Sequence, residues 1–107
     1  MHIGESIWNI VLKWEPFPRI HLGGQLVEAA DSIANNISEG YGRFHFKENK
    51  KFCYYARGSL FETYTELTKA KQRDLIDESE YQIILDEINI LKPKLNAYIN
   101  SIGKTGS

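Results

Sequence analysis

The most constraining feature of the sequence is the spacing of apolar residues near its C-terminal end. Between Tyr81 and Ile102, apolar side chains recur every three or four positions, which is the period of one face of an α-helix. Pro93 interrupts this segment, but the spacing continues on both sides, so we expect a bend there rather than a helix end. Asp77 and Glu80 have the spacing of a capping box and mark the start of the helix. A chain with such a segment needs other elements to cover its apolar face.

Three earlier segments show the same period and predict three more helices. The first is residues 6–14, with Ser6 as its candidate N-cap. The second is residues 22–40, and the third begins at Phe46 or Lys47 and ends near residue 73. Four amphipathic helices joined by short turns pack most simply side by side. The sequence therefore predicts an all-α fold, an up-and-down antiparallel four-helix bundle.

Prolines and glycines indicate where these helices end or approach one another. Pro16 and Pro18 are expected to end the first helix in a turn, because proline lacks the N–H that a helix needs. Gly40 and Gly42 are typical of a helix C-cap that requires positive φ. Gly58 lies in the middle of the third helix, where glycine is unfavourable, and predicts that another helix packs closely there.

The length and composition indicate one soluble domain. A chain of 107 residues holds a single core, so we expect one domain at residues 1–103 and a flexible C-terminal tail at 104–107. Cys53 is the only cysteine, which excludes an internal disulfide. No segment has the roughly twenty apolar residues of a membrane span, and the N-terminus lacks the pattern of a signal peptide. We expect a cytoplasmic protein that does not bind membranes.

A local basic segment is the best functional lead. The formal net charge of the chain is -1, so nucleic-acid binding depends on a local patch. Within residues 43–57, where Glu48 is the sole acid, the candidate nucleic-acid-binding residues are Arg43, Lys47, Lys50, Lys51 and Arg57. Aromatic residues interleave them and can stack on unpaired bases, so an RNA loop or single strand is a reasonable ligand. An acidic run at residues 74–87 leaves open a contact between subunits instead.

A polar cluster surrounds the end of the second helix. Asn36, Glu39 and Arg43 share one helical face, and Ser59 and Glu62 on the third helix are candidates to complete the cluster. One hypothesis is a structural network that fixes helix register, within or between subunits. The alternative is a small-molecule-binding or hydrolytic site in which Glu39, Glu62 and Arg43 do acid–base work. We favour the structural hypothesis, because no nucleophile is placed to join the carboxylates.

Metal and nucleotide sites find no support in the sequence. No glutamate is followed by histidine at the Glu-x-x-His spacing of di-iron bundles, and the three histidines are far apart. With one cysteine there is no zinc pattern. The stretch "GYGR" at residues 40–43 lacks the lysine and hydroxyl of a phosphate-binding loop. We therefore expect a protein that is not an enzyme and that needs no metal or cofactor.

Two motifs resemble a known family. They are "SIANNISEGYGR" at residues 32–43 and "ARGSLFE" at residues 56–62. Together they resemble the pattern Ser-Ile-x-x-Asn-Ile-x-Glu-Gly-x-Gly-Arg, then a basic segment, then Ala-x-Gly-Ser-x-x-Glu. This pattern is found in small four-helix-bundle proteins encoded by intervening sequences inside bacterial 23S ribosomal RNA genes. The resemblance covers about residues 25–102.

The resemblance implies a non-enzymatic bundle that assembles into a ring, often a pentamer. A related accessory protein of diversity-generating retroelements binds nucleic acid and a reverse transcriptase. Independently, thirteen aromatic residues exceed what one small bundle readily buries, which also favours a homo-oligomer. We therefore expect an oligomeric scaffold or adaptor that contacts RNA or a nucleic-acid enzyme through its basic segment.

Overall fold

Four helices account for most of the computed structural model, which describes residues 2–103. Residues 1 and 104–107, and with them the predicted flexible tail, lie outside the described range. We number the helices in chain order as α1 (His2–Val11), α2 (Gly24–Tyr41), α3 (Phe46–Gln72) and α4 (Glu78–Ser101). Two short helical turns, Pro16–Pro18 and Arg19–Gly23, lead into α2, and residues 2–103 contain no strand. The predicted all-α fold is confirmed.

The helices form an elongated up-and-down bundle of 50 × 22 × 17 Å. Short connections, residues 42–45 and 73–77, join α2 to α3 and α3 to α4. Hydrogen bonds between side chains link the helices, as in Ser59 to Ser32 (α3 to α2, 3.0 Å), Asn49 to Tyr98 (α3 to α4, 3.3 Å) and Ser6 to Glu87 (α1 to α4, 3.1 Å). The start of α3 therefore lies beside the end of α4, as antiparallel packing requires.

The core is one continuous set of apolar side chains from all four helices. Its largest fully buried apolar members are Ile7, Leu26, Ile33, Leu60, Leu67, Ile84 and Ile99. Neighbours in this set along one helix are separated by sums of three- and four-residue steps, such as the seven residues from Leu26 to Ile33, so the buried stripe follows the period read from the sequence. Burial of such a side chain contributes about 1.5–3 kcal/mol, and these residues therefore dominate the stability of the bundle.

The first helix begins earlier than predicted. It starts at His2, and Ser6 lies inside it instead of capping it. Ile3 is buried and extends the apolar stripe by one more turn. The Ser6 hydroxyl donates a hydrogen bond to a carboxylate oxygen of Glu87 on α4, 3.1 Å away. A serine that can cap a helix has therefore been used to join two helices.

The two prolines open a helical segment, which corrects the prediction that they end one. The first helix ends at Val11, and Trp14 is buried in the connection that follows it. Pro16 occupies the first turn of the next helical segment, where the missing N–H has no partner to lose. From there the chain runs through a π-helical turn, Arg19–Gly23, directly into α2. Proline favours a helix start as well as a helix stop, so its position alone did not decide between them.

The glycine predictions are also corrected by the structure. Gly42, the C-cap of α2, has φ −76°, so neither it nor Gly40 needs the left-handed region. Gly40 is buried, and a Cβ there would lie 2.9 Å from the Phe52 Cβ on α3. Gly58 shows the opposite: it is exposed, and apart from its chain neighbours and the adjacent backbone of α3, no described atom lies within 4 Å of the place its Cβ would take. Close helix packing occurs at Gly40 and is absent at Gly58 in this chain.

The boundary between α3 and α4 is set by local chemistry. Asp74 has φ 58°, and the Leu75 N–H donates to the Ala70 carbonyl at 2.9 Å, which is a Schellman ending. Asp77 and Glu80 form the predicted capping box, with bonds of 2.7 and 3.1 Å. The helix then continues through Pro93 to Ser101, so Pro93 does not end it, as predicted.

Candidate nucleic-acid interface

The N-terminal half of α3 presents a groove that combines basic and aromatic side chains. We call it the basic face; its residues are Phe46, Lys47, Lys50, Lys51, Tyr54 and Tyr55. The groove is open to solvent and has a volume of about 530 Å³. Steps of three and four residues along α3 place these side chains on the side that faces away from the core. Three of the predicted nucleic-acid-binding residues therefore lie together.

The lysines of the basic face form no ion pair within residues 2–103. Among residues 2–103, the ion pairs are Arg43–Glu39, Lys69–Glu66 and Lys71–Glu78, and none includes Lys47, Lys50 or Lys51. The Lys51 ammonium lies 5.8 Å from the centre of the Tyr55 ring, within the range of a cation–π interaction. Their charge is thus available to an anion such as a phosphate.

Arg57 extends the basic face towards α4. Its guanidinium lies 4.8 Å from the centre of the Tyr54 ring and donates a hydrogen bond of 3.1 Å to the Asn96 side-chain oxygen. Two contacts hold the planar group in place, so it meets a ligand with little loss of side-chain entropy. Arg57 is therefore joined to the basic face through Tyr54.

Arg43 is placed differently from the other four basic residues. It lies in the connection after α2, forms an ion pair with Glu39, and has its guanidinium 4.8 Å from the centre of the Phe52 ring. These two contacts direct Arg43 to the α2–α3 junction. The structure thus separates it from the groove lined by the lysines.

The predicted polar cluster is divided among three places. The Asn36 amide donates to the Ser32 carbonyl at 2.8 Å and to the Ser32 hydroxyl at 2.9 Å, and that hydroxyl also accepts from Ser59. The Glu39–Arg43 pair is exposed, with 55% and 39% of the two side chains accessible. The five residues therefore do not form one network.

Glu62, the second carboxylate of the alternative hypothesis, lies in a different groove from Glu39. That groove, about 540 Å³, is lined by Glu28, Ala29, Asp31, Ser32, Asn35 and Glu62. It is shallow and polar, and Glu39 and Arg43 are not among its lining residues. The groove that contains Glu62 therefore does not bring the two carboxylates together for acid–base chemistry.

Sequence reasoning missed a second groove next to the basic face. It lies between α3 and α4, has a volume of about 410 Å³, and is lined by Leu60, Phe61, Tyr64, Leu85, Ile88, Asn89 and Lys92. Phe61 follows Tyr54 by seven residues, which places both on one side of α3. That spacing could have indicated an aromatic surface on α3 from the sequence alone. The position of Lys92 in the groove could not be predicted, because it depends on the axial register of α3 and α4.

Cys53 is buried beside this region of α3. Burial raises the pKa of the Cys53 thiol, which donates to the Asn49 side-chain oxygen at 3.6 Å. A buried thiol of raised pKa is a poor nucleophile. In the part of the chain that the structure describes, no three histidine, cysteine or acidic side chains are grouped to hold a metal. In the same range, no helix is long and apolar enough to cross a membrane.

The fold and the basic face define a class of small helical-bundle proteins with an exposed, cationic long helix. Comparison with known families gives a specific assignment: the family described as 23S rRNA-intervening sequence protein matches residues 1–97. The chain belongs to this family, as the two motifs in the sequence predicted. Among curated proteins, none matches the chain.

Proposed function

We propose that this chain is a non-enzymatic, cytoplasmic scaffold that self-associates and contacts RNA, or an enzyme acting on nucleic acid, through its basic face. One observation carries the proposal: Lys47, Lys50 and Lys51 lie in one groove with three aromatic side chains and have no acidic partner among residues 2–103. Ammonium groups attract phosphates and release their counterions, while the rings offer stacking surfaces to bases. Because the net charge is -1, binding depends on this local face and not on the charge of the whole chain.

Self-association is supported by the exposure of aromatic side chains. All thirteen aromatics lie within the described residues, and nine of them are exposed. Five of these line the basic face or the α3–α4 groove, and the other four are available for a contact between copies: Trp8, Phe17, Tyr41 and Phe44. A monomer rarely leaves so much apolar surface in water. A closed ring would repeat the basic face around an axis and raise its avidity without new contacts. Five copies are the number that the family resemblance implies.

The absence of enzymatic activity is part of the proposal. Its support is the placement of Glu39 and Glu62, which line no common groove, and the exposure of the Glu39–Arg43 pair. An exposed pair of this kind contributes little energy and holds its groups in no fixed geometry for a substrate. The motif residues are better explained as the end of α2 and its contact with α3.

The test is a salt-titrated RNA-binding assay on the full chain and on a triple variant, Lys47→Glu, Lys50→Glu and Lys51→Glu. We expect the wild type to bind an oligouridylate with an affinity that falls steeply as salt rises. The variant should lose most of this affinity. The slope of log K against log salt should become shallower by roughly 2, or about 0.7 for each phosphate that the variant no longer neutralises.

A matched control carries the same change in charge elsewhere on the surface. Lys13→Glu, Arg19→Glu and Arg73→Glu alter three exposed residues outside the basic face. This control should keep most of the affinity if binding is local. Equal losses in both variants would show that only net charge matters, and binding that is absent or independent of salt would refute the RNA clause. Light scattering on the wild type tests assembly: a mass of 12.3 kDa, that of one chain, would refute the scaffold clause.

A further inference from the structure

Three cation–aromatic pairs follow one another along the outward side of α3. The Lys51 ammonium lies 5.8 Å from the Tyr55 ring centre, the Arg57 guanidinium 4.8 Å from that of Tyr54, and the Lys92 ammonium 5.1 Å from that of Phe61. The three rings are similarly accessible, at 49%, 45% and 49% for Tyr55, Tyr54 and Phe61. Each pair thus offers a flat apolar surface next to a positive charge. A nucleotide is complementary to it, because it carries a flat base next to a negatively charged phosphate.

The surface between Tyr54 and Phe61 is open. The two residues are seven positions apart on α3, a rise of roughly 10 Å along the helix axis. Gly58 lies between them, and no described atom comes within 4 Å of where its Cβ would be. A ligand that runs along α3 therefore meets no side chain at position 58, and the Arg57 guanidinium lies beside its path against the Tyr54 ring. Gly58 does not serve helix packing within the chain, and it lies on the proposed path of the ligand.

The groove between α3 and α4 continues this path beyond Phe61. Its floor contains Leu60 and Ile88, which are buried, and Phe61 and Tyr64 form an aromatic wall. The Asn89 amide and the Lys92 ammonium supply polar groups in the same groove. Among residues 2–103, Lys92 forms no ion pair. An unpaired base fits such a site, because its faces are apolar, its edge bonds to an amide and its phosphate is anionic.

We propose that this surface is a track for single-stranded nucleic acid. The track consists of the cations Lys51, Arg57 and Lys92, the rings of Tyr55, Tyr54 and Phe61, and the α3–α4 groove. Unpaired bases stack against Tyr54 and Phe61, one base enters the groove beside Asn89, and the cations contact the phosphates. The proposal rests on the proposed function and adds to it the strand state of the ligand and the contribution of α4.

The mixture of groups favours a nucleic acid over an apolar partner on this surface. A helix of another protein or of a second copy would have to remove water from three cations that have no acidic partner in the described chain, and this is costly. A duplex is also disfavoured, because its bases are stacked inside and cannot reach the rings. A single strand uses both the charge and the aromatic surface.

The experiment compares an oligouridylate with a duplex RNA of the same length, using fluorescence anisotropy on the full chain. Wild type should bind the single strand more tightly than the duplex. Phe61→Ala should weaken binding of the single strand by about 5- to 150-fold, the range for loss of one stacked base, and change duplex binding less than twofold. Phe61→Tyr, which keeps a stacking ring, should retain wild-type affinity.

Lys92→Gln tests the contribution of α4. It should weaken binding of the single strand and reduce the salt slope by about 0.7, the value for one phosphate contact to a single strand. Lys94→Gln is the matched control, because Lys94 is also exposed on α4 and does not line the α3–α4 groove. It should leave binding unchanged. Circular dichroism spectra identical to that of the wild type would show that each variant folds.

The possible failures are distinguishable. If Phe61→Ala and Lys92→Gln bind as the wild type does while the triple lysine variant does not, the track is wrong and the basic face stands. If duplex RNA binds as tightly as the single strand, the proposed strand state is wrong. If Phe61→Ala instead changes the mass measured by light scattering and leaves RNA binding intact, the surface is a contact between subunits. A wild type that binds neither RNA would overturn the RNA clause of the proposed function and the track together.

Discussion

The Ser59 hydroxyl of α3 donates a hydrogen bond to the Ser32 hydroxyl of α2, 3.0 Å away, and this contact ties the two motifs of the sequence together. The Asn36 amide donates to the same Ser32 oxygen at 2.9 Å. Polar residues in the middle of the bundle therefore satisfy one another across the α2–α3 contact. A half-buried network of this kind fixes the register of two helices, because a shift along the axis leaves its donors unpaired.

Asn36 should contribute measurably to stability, whereas its neighbour Asn35 should not. Asn36→Ala removes two hydrogen bonds, to the Ser32 carbonyl and hydroxyl, and should lower the free energy of unfolding by about 1–2 kcal/mol. Asn35 is exposed, so Asn35→Ala should change it by less than about 0.5 kcal/mol. Urea denaturation of the two variants makes the comparison. Equal effects would mean that the bonds from Asn36 to Ser32 do not contribute to stability.

Gly40 and Gly58 should respond in opposite ways to alanine. At Gly40 a Cβ would lie 2.8 Å from the Asn49 Oδ1 and 2.9 Å from both the Asn49 carbonyl oxygen and the Phe52 Cβ. Gly40→Ala should therefore destabilise the bundle by about 1–3 kcal/mol through forced separation of α2 and α3. Gly58→Ala adds a methyl group in open space within a helix and should stabilise it by roughly 1 kcal/mol.

Thermal unfolding of both glycine variants, followed by circular dichroism, measures these effects. A stabilised Gly40→Ala variant would contradict the close α2–α3 contact. A Gly58→Ala variant that loses stability in proportion to its loss of assembly would show that a second copy packs on this part of α3.

Replacement of Asp74 by glycine should stabilise the folded protein. It has φ 58°, where a side chain is strained and glycine is not, and it occupies the residue after the C-cap of α3. Asp74→Gly should raise the free energy of unfolding by about 0.5–1 kcal/mol. Arg73→Gly, one residue earlier at φ −94°, gains no such relief and should lower stability. Guanidinium denaturation distinguishes the two, and a destabilised Asp74→Gly variant would refute the argument from backbone strain.

Cys53 should make stability fall at alkaline pH. Burial raises the pKa of its thiol in the folded chain, so the unfolded chain loses this proton at a lower pH than the folded one. The contribution is fully present below the pKa of the unfolded thiol, roughly 8.5, and is lost as pH rises through the folded value. Wild type should thus lose more stability than Cys53→Ala between neutral pH and the alkaline limit. Parallel pH dependences for the two proteins would show that the thiol does not ionise differently on unfolding.

The helices were predictable from the sequence because their apolar periods are long and their caps are local. The capping box of Asp77 and Glu80, the span of α3 and the continuation of α4 through Pro93 all depend on residues a few positions apart. The wrong predictions concern proline and glycine, each of which occurs in helical proteins for two different physical reasons. Proline both starts and stops helices, and glycine serves both positive φ and close packing, so Pro16 and Gly40 required tertiary structure to interpret.

Part of the candidate site was predictable because it depends on spacing along a single helix. Lys47, Lys50 and Lys51 lie on one helix, so their common face follows from spacing alone. Lys92 and Phe61 are 31 residues apart in sequence and lie on different helices. Their contact depends on how α3 and α4 are aligned, which no local pattern specifies. The same limit explains why Glu39 and Glu62, on different helices, were grouped in the sequence and lie in different places in the structure.

The most direct test of the central claim is a hydrogen-exchange footprint of the full chain with and without a saturating oligouridylate. We predict protection confined to residues 46–64 of α3 and to residues 85–96 of α4, the segments that carry the basic face and the α3–α4 groove. Protection at the polar groove of Glu28 and Glu62 instead, or no protection at concentrations that saturate a salt-dependent complex, would contradict the account.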